Sequence, residues 1–495
     1  MKTVRLNDKD NVLVALTDFK KGETVGEGSL VLTGDIPAGY KIALEALPAG
    51  TSVIKYGETI GFLTEDVVPG DSVHVHNMKT GLEGKEEYRY RKVAKEVFHH
   101  SRPLPEVSLF RRKNGEAGIR NELWIVPTVG CVNGIAAEIA DTFRESFDTS
   151  GVDGVHTFSH PYGCSQLGDD HERTRVLLQN IAVHPNAGGV LVLGLGCENN
   201  QIGVFRDTMP EGWDPERILF LEAQAVDDEM EKGVELLKQL YDRAAEDERT
   251  PGSLADLNIG LECGGSDAFS GITANPLIGL FSDYLTENGG TTVLTEVPEM
   301  FGAEHILLEQ CADEAVFDKA VAMINGYKDY YLSHNLPVYE NPSPGNKKGG
   351  ITTLEDKSLG CTKKAGNSAV VDVLKIEDRV SAKGLNLLAS PGNDIVATTV
   401  LGSAGCQLVL FSTGRGNPLG GFIPTMKIAS NTGLMERKPH WIDFDAGRMI
   451  SECVSRGELL DDLIDLVIDT VNGRPICMER WKRRDIALFK TGVTL

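Results

Sequence analysis

Three cysteines, Cys131, Cys164 and Cys197, stand 33 residues apart, and each follows a glycine at the end of an apolar run. The runs, at about 123–127, 155–159 and 190–195, read as strands, and helical patterns over about 134–147 and 169–184 fill the gaps. This spacing predicts a βαβαβ unit. Its strands run parallel, so all three turns leave the sheet at one edge, where open α/β folds place their ligands. Thiols meeting there could bind iron, or could pack as small apolar groups.

The second turn, SHPYGCSQLGDDH, also carries His160 and Gln166, and the third, GLGCENN, carries Asn199. Polar side chains gathered beyond a strand are suited to binding and proton transfer. The glycines of the third turn do not have the spacing of a dinucleotide fingerprint, which argues against NAD.

Other chemistry-bearing residues lie outside this unit. In DSVHVHN, read as a strand over 72–76, His74 and His76 face one side as a candidate metal or anion contact. A strand near 257–261 leads to Glu262-Cys263-Gly264-Gly265, and another at 292–295 delivers Glu296 and Glu299, candidate metal or acid/base carboxylates. Residues 341–366 read as a long loop rich in glycine and lysine, expected to act as a carboxylate-binding lid. Arg415, between glycines after a strand at 408–411, could clamp a carboxylate.

These groups need scaffolds. Residues 1–78 show short strands between Gly/Pro/Asp turns, a small β domain. Residues 79–109 are polar and aperiodic and read as a linker, long enough to let that domain reach a site elsewhere. An α/β domain over 110–250 and a second over 251–495 follow, so the fold class is α/β with parallel sheets behind a small β domain. The chain has 495 residues, 41% hydrophobic and 24% charged, and a net charge of −23, which disfavours nucleic acid and anionic membrane as partners. Without a signal peptide or membrane span it is expected in the cytoplasm, and nine cysteines in such a chain argue for thiols over a disulfide framework.

The segments NELWIVPTVGCVNGIA, YGCSQLGDDH, GLGCENNQ, LECGGSDAFSGITANP, NPSPGNKKGGITTLEDKSLGCTKKAG and FSTGRGNP, with the N-terminal SVHVHN, resemble the altronate/galactarate dehydratase family from end to end. The resemblance implies a β-clip (SAF-like) N-terminal domain, a central domain used for dimerisation and a Rossmann-like C-terminal domain. It implies a hydro-lyase that converts D-altronate to 2-dehydro-3-deoxy-D-gluconate in hexuronate catabolism, dependent on Fe²⁺ or Mn²⁺, and a homodimer. Dehydration of another sugar acid such as galactarate, or sugar-acid binding without catalysis, are the alternatives.

Removing the C2 proton and the C3 hydroxyl of an aldonate needs a base, an acid and stabilisation of enediolate-like charge. His160 and Lys357 are the expected proton-transfer groups, with Arg415 and Lys347 clamping carboxylate and Gln166 and Asn199 binding substrate. The metal would be an iron–sulfur cluster on Cys131, Cys164 and Cys197, or a mononuclear ion on a mixed set that includes His74 or His76.

Overall fold

The computed structural model describes residues 2–26, 30–93 and 95–495. Antiparallel pairs build the N-terminal unit: Val12–Ala15 lies between Thr3–Val4 and Lys41–Ala43, and Ser52–Lys55 pairs with Glu58–Leu63. Its last strands are only two residues long. Ser72–Val73 ends where the amide of His74 donates to Asn77 Oδ1 (2.9 Å) and the amide of Asn77 returns to the His74 carbonyl (3.0 Å). The alternation Val-His-Val-His imitates a strand, but Asn77 closes it into a turn. His74 therefore points inward and His76 outward, instead of sharing a face.

Residues 82–105 have no regular structure among the described residues, yet they are not a free tether. Leu82, Tyr88, Tyr90, Phe98 and Leu104 pack against the largest hydrophobic core. Regular structure resumes at Glu106–Arg111, which pairs with Ala117–Gly118 and with Thr250–Ser253 and so closes the base of the next unit.

That unit is a parallel sheet of β1 (Glu122–Pro127), β2 (Gly154–Thr157), β3 (Ala187–Gly194) and β4 (Ile218–Glu222), in the order β2-β1-β3-β4. β1 and β3 are buried along their whole length, as expected for strands covered on both faces. Helices α1 (Asn133–Ser146) and α2 (Gly168–Ala182) fill the crossovers where the helical period places them. The three Gly-Cys turns do emerge together. Gly130 N donates to the Tyr162 carbonyl (2.9 Å), Asn200 N to the Gly163 carbonyl (3.0 Å) and Ser165 N to Asn199 Oδ1 (2.8 Å).

Gly163 permits this contact. Its φ is +99°, and a Cβ there would lie 2.0 Å from the Thr128 carbonyl oxygen. Gly163→Ala is therefore expected to cost at least about 2 kcal/mol, since neither backbone can give way cheaply. The midpoint of urea denaturation measures it.

The C-terminal unit holds seven parallel strands, β5 (Asn258–Cys263), β6 (Thr291–Leu294), β7 (Val370–Leu374), β8 (Gly384–Leu388), β9 (Leu408–Thr413), β10 (Thr425–Ala429) and β11 (Phe444–Asp445). Their order is β7-β8-β6-β5-β9-β10-β11. The chain builds leftward from β5 and then restarts on its other side at β9. The switch point lies between β5 and β9, and the carboxyl ends around it are where an open parallel sheet offers a crevice. Among the described residues, no helix is long and apolar enough to cross a membrane.

Candidate active site

The carboxyl ends of β5, β6 and β8 and the following turns bring an unusual set of charges out of water. Glu262 and Cys263 end β5, Glu296 and Glu299 follow β6, and Asp394 opens α3 (Asp394–Ser403) after β8. Lys427 enters from β10. Facing them is the segment expected as a lid, and here the structure corrects the sequence reading. Residues 341–366 form two short helices, Pro344–Lys348 and α4 (Leu354–Cys361), then a 3₁₀ turn Thr362–Ala365. Ser343 and Thr353 cap the helices by accepting from the amides of Asn346 and Asp356. Every residue of α4 is buried. Glycines and lysines suggested an exposed loop, but Lys357 and Lys364 are paired with carboxylates inside.

Two groups of possible ligand atoms result. Glu262, Glu296 and Asp394 each offer a carboxylate oxygen, all within 4.8 Å of one another, and Cys263, Glu299 and Cys361 do the same with two sulfurs and one oxygen. The second group is already neutralised. Lys364 Nζ lies 2.7 Å from Cys263 Sγ and 3.1 Å from Glu296 Oε2, and Lys357 Nζ lies 2.5 Å from Glu299 Oε1 and 3.0 Å from Asn341 Oδ1. The two sulfurs are 3.4 Å apart and both reach Glu299 Oε2.

In the carboxylate trio only Glu296 Oε2 meets an ammonium, that of Lys364. Both oxygens of Glu262 and Oε1 of Glu296 are buried with no hydrogen-bond partner, as is Lys427 Nζ. Burial pushes the Glu262 carboxyl well above the usual range, with the Glu296 charge adding to it. Burial likewise carries Glu296 up to about 7, and burial with the Glu299 charge carries Asp394 to about 6. For Lys427 burial acts the other way, lowering it to about 7. Three adjacent carboxylates, two of them with orphaned oxygens, carry more negative charge than the one ammonium bonded to them offsets, which is the condition a divalent cation relieves. Oxygen donors suit Mn²⁺ and accept Fe²⁺.

Burial would also raise Glu299, but the neighbouring Lys357 and Lys364 ammoniums overcome it and hold this carboxyl below its usual range. Lys357 in turn is kept charged despite burial, chiefly by Glu299.

Asp394 forms part of the wall of an open cavity of about 640 Å³, with Asn393, Asn417 and Arg483. Asn417 Nδ2 donates to Asp394 Oδ2 (2.5 Å). Gly264 is needed beneath, because a Cβ there would sit 2.2 Å from the same oxygen. Gly392 lines the cavity too, and a Cβ on it would be 3.7 Å from Glu299 Oε1, so the Lys357–Glu299 pair lies just behind the wall. Arg415 and Arg483 are exposed and form no ion pair among the described residues.

The other residues singled out from sequence fall elsewhere. Cys131, Cys164 and Cys197 are exposed, and no group with ligand spacing contains them among the described residues. His160 is buried. Its Nε2 faces the Pro127 carbonyl (2.8 Å) and its Nδ1 accepts from the Tyr162 amide (3.2 Å), so both nitrogens brace the second turn. Burial lowers its pKa and keeps the ring neutral. Gln166 Oε1 accepts from the Gly163 amide (3.0 Å) and Asn199 Oδ1 from Ser165, so both hold these turns together. His74 is lowered to about 4, first by burial and then by Lys41, and its Nδ1 lies 2.9 Å from Thr352 Oγ1. Lys347 is partly buried on the short helix beside it.

Of the sequence-derived candidates the structure thus places Lys357, Glu296, Glu299 and Cys263 in one centre, with Arg415 at the same sheet edge. It adds Glu262, Asp394, Cys361, Lys364 and Lys427. Glu262 and Lys427 did carry a signal, as lone charges inside the apolar runs NIGLEC and TMKIA. A charge in a strand buried on both faces has to be paired or functional.

The N-terminal unit docks on this centre through ions. Lys41 Nζ and Lys55 Nζ each lie 2.9 Å from an oxygen of Asp356 on α4, and all three side chains are buried. Burial opposes the charge of Asp356, but the two ammoniums hold its carboxyl far below the usual range.

Family models match three parts of the chain. They are the altronate/galactarate dehydratase SAF domain at 1–81, the D-galactarate dehydratase/altronate hydrolase second domain at 109–245 and the D-galactarate/altronate dehydratase C-terminal domain at 254–494. The chain is 54% identical over 498 aligned residues to altronate dehydratase of Escherichia coli (strain K12), covering 100% of both. It is 52% identical to altronate dehydratase of Bacillus subtilis (strain 168), covering 99% of both. Galactarate dehydratase (L-threo-forming) of E. coli K12 is 31% identical, with 95% of this chain and 93% of that protein covered.

Proposed function

Because the chain belongs to the D-galactarate/altronate dehydratase family, we propose that it dehydrates D-altronate to 2-dehydro-3-deoxy-D-gluconate. The observation that carries this reading is the end-to-end similarity to two altronate dehydratases, which exceeds that to galactarate dehydratase by more than 20 percentage points. Incubation with D-altronate and with galactarate, followed by detection of the 2-dehydro-3-deoxy product, tests it. Turnover of galactarate alone would overturn it.

The substrate occupies the cavity beside Asp394, with its carboxylate met by Arg483, which lines the cavity and forms no ion pair among the described residues, or by Arg415, which follows β9 outside that lining. The Lys357–Glu299 pair behind Gly392 transfers the proton. Glu299, ionised beside the Lys357 ammonium (2.5 Å), accepts the C2 proton, Lys357 Nζ gives one to the departing C3 oxygen, and the proton on Glu299 then passes to the Lys357 amine and restores the pair. Lys357→Met is expected to abolish both turnover and the exchange of C2 hydrogen in deuterated water, a loss of ~10²–10⁴-fold. Retained exchange would clear the pair of that role. His160 is not assigned to proton transfer, since both its nitrogens serve the backbone.

A divalent Fe²⁺ or Mn²⁺ would be held by Glu262, Glu296 and Asp394, and the orphaned oxygens of Glu262 and Glu296 favour that site over the thiols. Bound there, it would supply Lewis-acid stabilisation of enediolate charge. Anaerobic purification with iron and acid-labile sulfide determination separates this from a cluster on Cys131, Cys164 and Cys197. A sulfide-free enzyme active with Fe²⁺ or Mn²⁺ supports the carboxylate site. The working form on this reading is a cytoplasmic homodimer joined through the second unit, which sedimentation velocity and cell fractionation test.

A further inference from the structure

The 3₁₀ turn Thr362–Ala365 has two sides. Lys364 points into the ionic centre, where it meets Cys263 and Glu296. Lys363 leaves on the opposite side and enters a separate cavity of about 290 Å³, walled by Leu6 of the N-terminal unit, Phe98 of the connecting segment, and Gly271, Asp283 and Arg456 of the C-terminal unit. Lys363 Nζ sits 3.6 Å from the centre of the Tyr56 ring and 3.3 Å from the Gly271 carbonyl oxygen. Arg456 opens the helix Arg456–Val471 on the other wall.

Neither cation has a carboxylate. Among the described residues Lys363 and Arg456 form no ion pair, in a protein whose net charge is −23. The carboxylates within reach are already committed. Asp283 Oδ1 accepts from the amides of Asn367 (2.8 Å) and Ser368 (3.0 Å) and from Ser368 Oγ (2.9 Å). Asp10 accepts from the amides of Leu6, Asn7 and Gly57. Lys55, the next cation along, is bound to Asp356. Two unpaired cations around a cavity large enough for a few heavy atoms form a receptor for negative charge.

We propose that the Lys363–Arg456 cavity is a second anion-binding site, separate from the substrate cavity, which takes a small oxyanion bearing a carboxylate or phosphate group. The ligand would bridge the N-terminal unit, the connecting segment and the C-terminal unit. It would also touch the same turn that delivers Lys364 to the ionic centre, which makes it an effector position for an acidic metabolite.

Isothermal titration of the full-length protein with inorganic phosphate and, separately, with malonate tests this, with chloride as the non-specific reference. The expected result is one site per chain for at least one of the two oxyanions, with Kd raised at least about tenfold by Lys363→Met and by Arg456→Gln. Arg456 is exposed, so its variant keeps the test open if Lys363→Met fails to fold. Binding of phosphate alone would identify a phosphorylated ligand class, and of malonate alone a carboxylate class. Binding of neither, or equal affinity in both variants and the unsubstituted chain, would overturn the proposal.

Discussion

Glu296→Gln is expected to lower D-altronate turnover by ~10²–10³-fold and to weaken retention of Fe²⁺ or Mn²⁺ in the same preparation. The substitution keeps size and shape and removes one negative charge from three carboxylates whose oxygens lie within 4.8 Å of one another. Without a cation these charges repel, and burial raises their proton affinities, to about 7 at Glu296 and about 6 at Asp394. The pH dependence follows with a definite sign. Because the folded state holds these protons more tightly than the unfolded chain, metal-free protein gains stability from them at low pH and loses it as pH rises through 6 to 7. Metal binding must displace the same protons, so affinity should climb as pH rises through 5 to 7. Calorimetric Mn²⁺ titrations across this range check the trend. In Glu296→Gln the upper part of the rise should disappear, and an unchanged profile would remove Glu296 from the site.

Asp356→Asn should destabilise the protein by about 3–5 kcal/mol, the cost of leaving buried charge unpaired. One carboxylate serves two buried ammoniums, Lys41 at 0% and Lys55 at 1% exposure. The amide keeps the volume but cannot compensate either charge. Since the native carboxyl is held well below its ordinary value, its contribution is complete above about pH 4 and fades only as pH falls far beneath that. Chemical denaturation at pH 7, compared with a Lys41→Met/Asp356→Asn double variant, isolates the effect. Removing one ammonium along with the carboxylate should recover part of the loss.

The parallel architecture was legible because period and punctuation agree: β1, β3, α1 and α2 lie within a few residues of where apolar runs and Gly-Cys turns put them. Glu296 and Glu299 were legible as carboxylates just beyond a strand. The three thiols drew attention by regular spacing, yet spacing reports the repeat of the fold and not which way a side chain points. His160 shows a related limit. A histidine in a polar turn looks available, but only coordinates reveal that Pro127 and Tyr162 engage both its nitrogens. Lys357 and Lys364 of 341–366 concealed the most, because their carboxylate partners lie 58 and 68 residues away along the chain.

The docking of Lys41 and Lys55 on Asp356 also has a consequence for how the protein is made. The pairs span 315 and 301 residues, so the first-made unit waits for its counter-ion until most of the chain has left the ribosome. At ordinary elongation rates that interval is about 15–60 s. During it the N-terminal unit presents two ammoniums and an open face to solvent, and the ionic centre has not yet been synthesised. Biogenesis therefore ends with a long-range closure, and nascent chains stalled short of residue 356 would have an N-terminal unit with nothing to dock on.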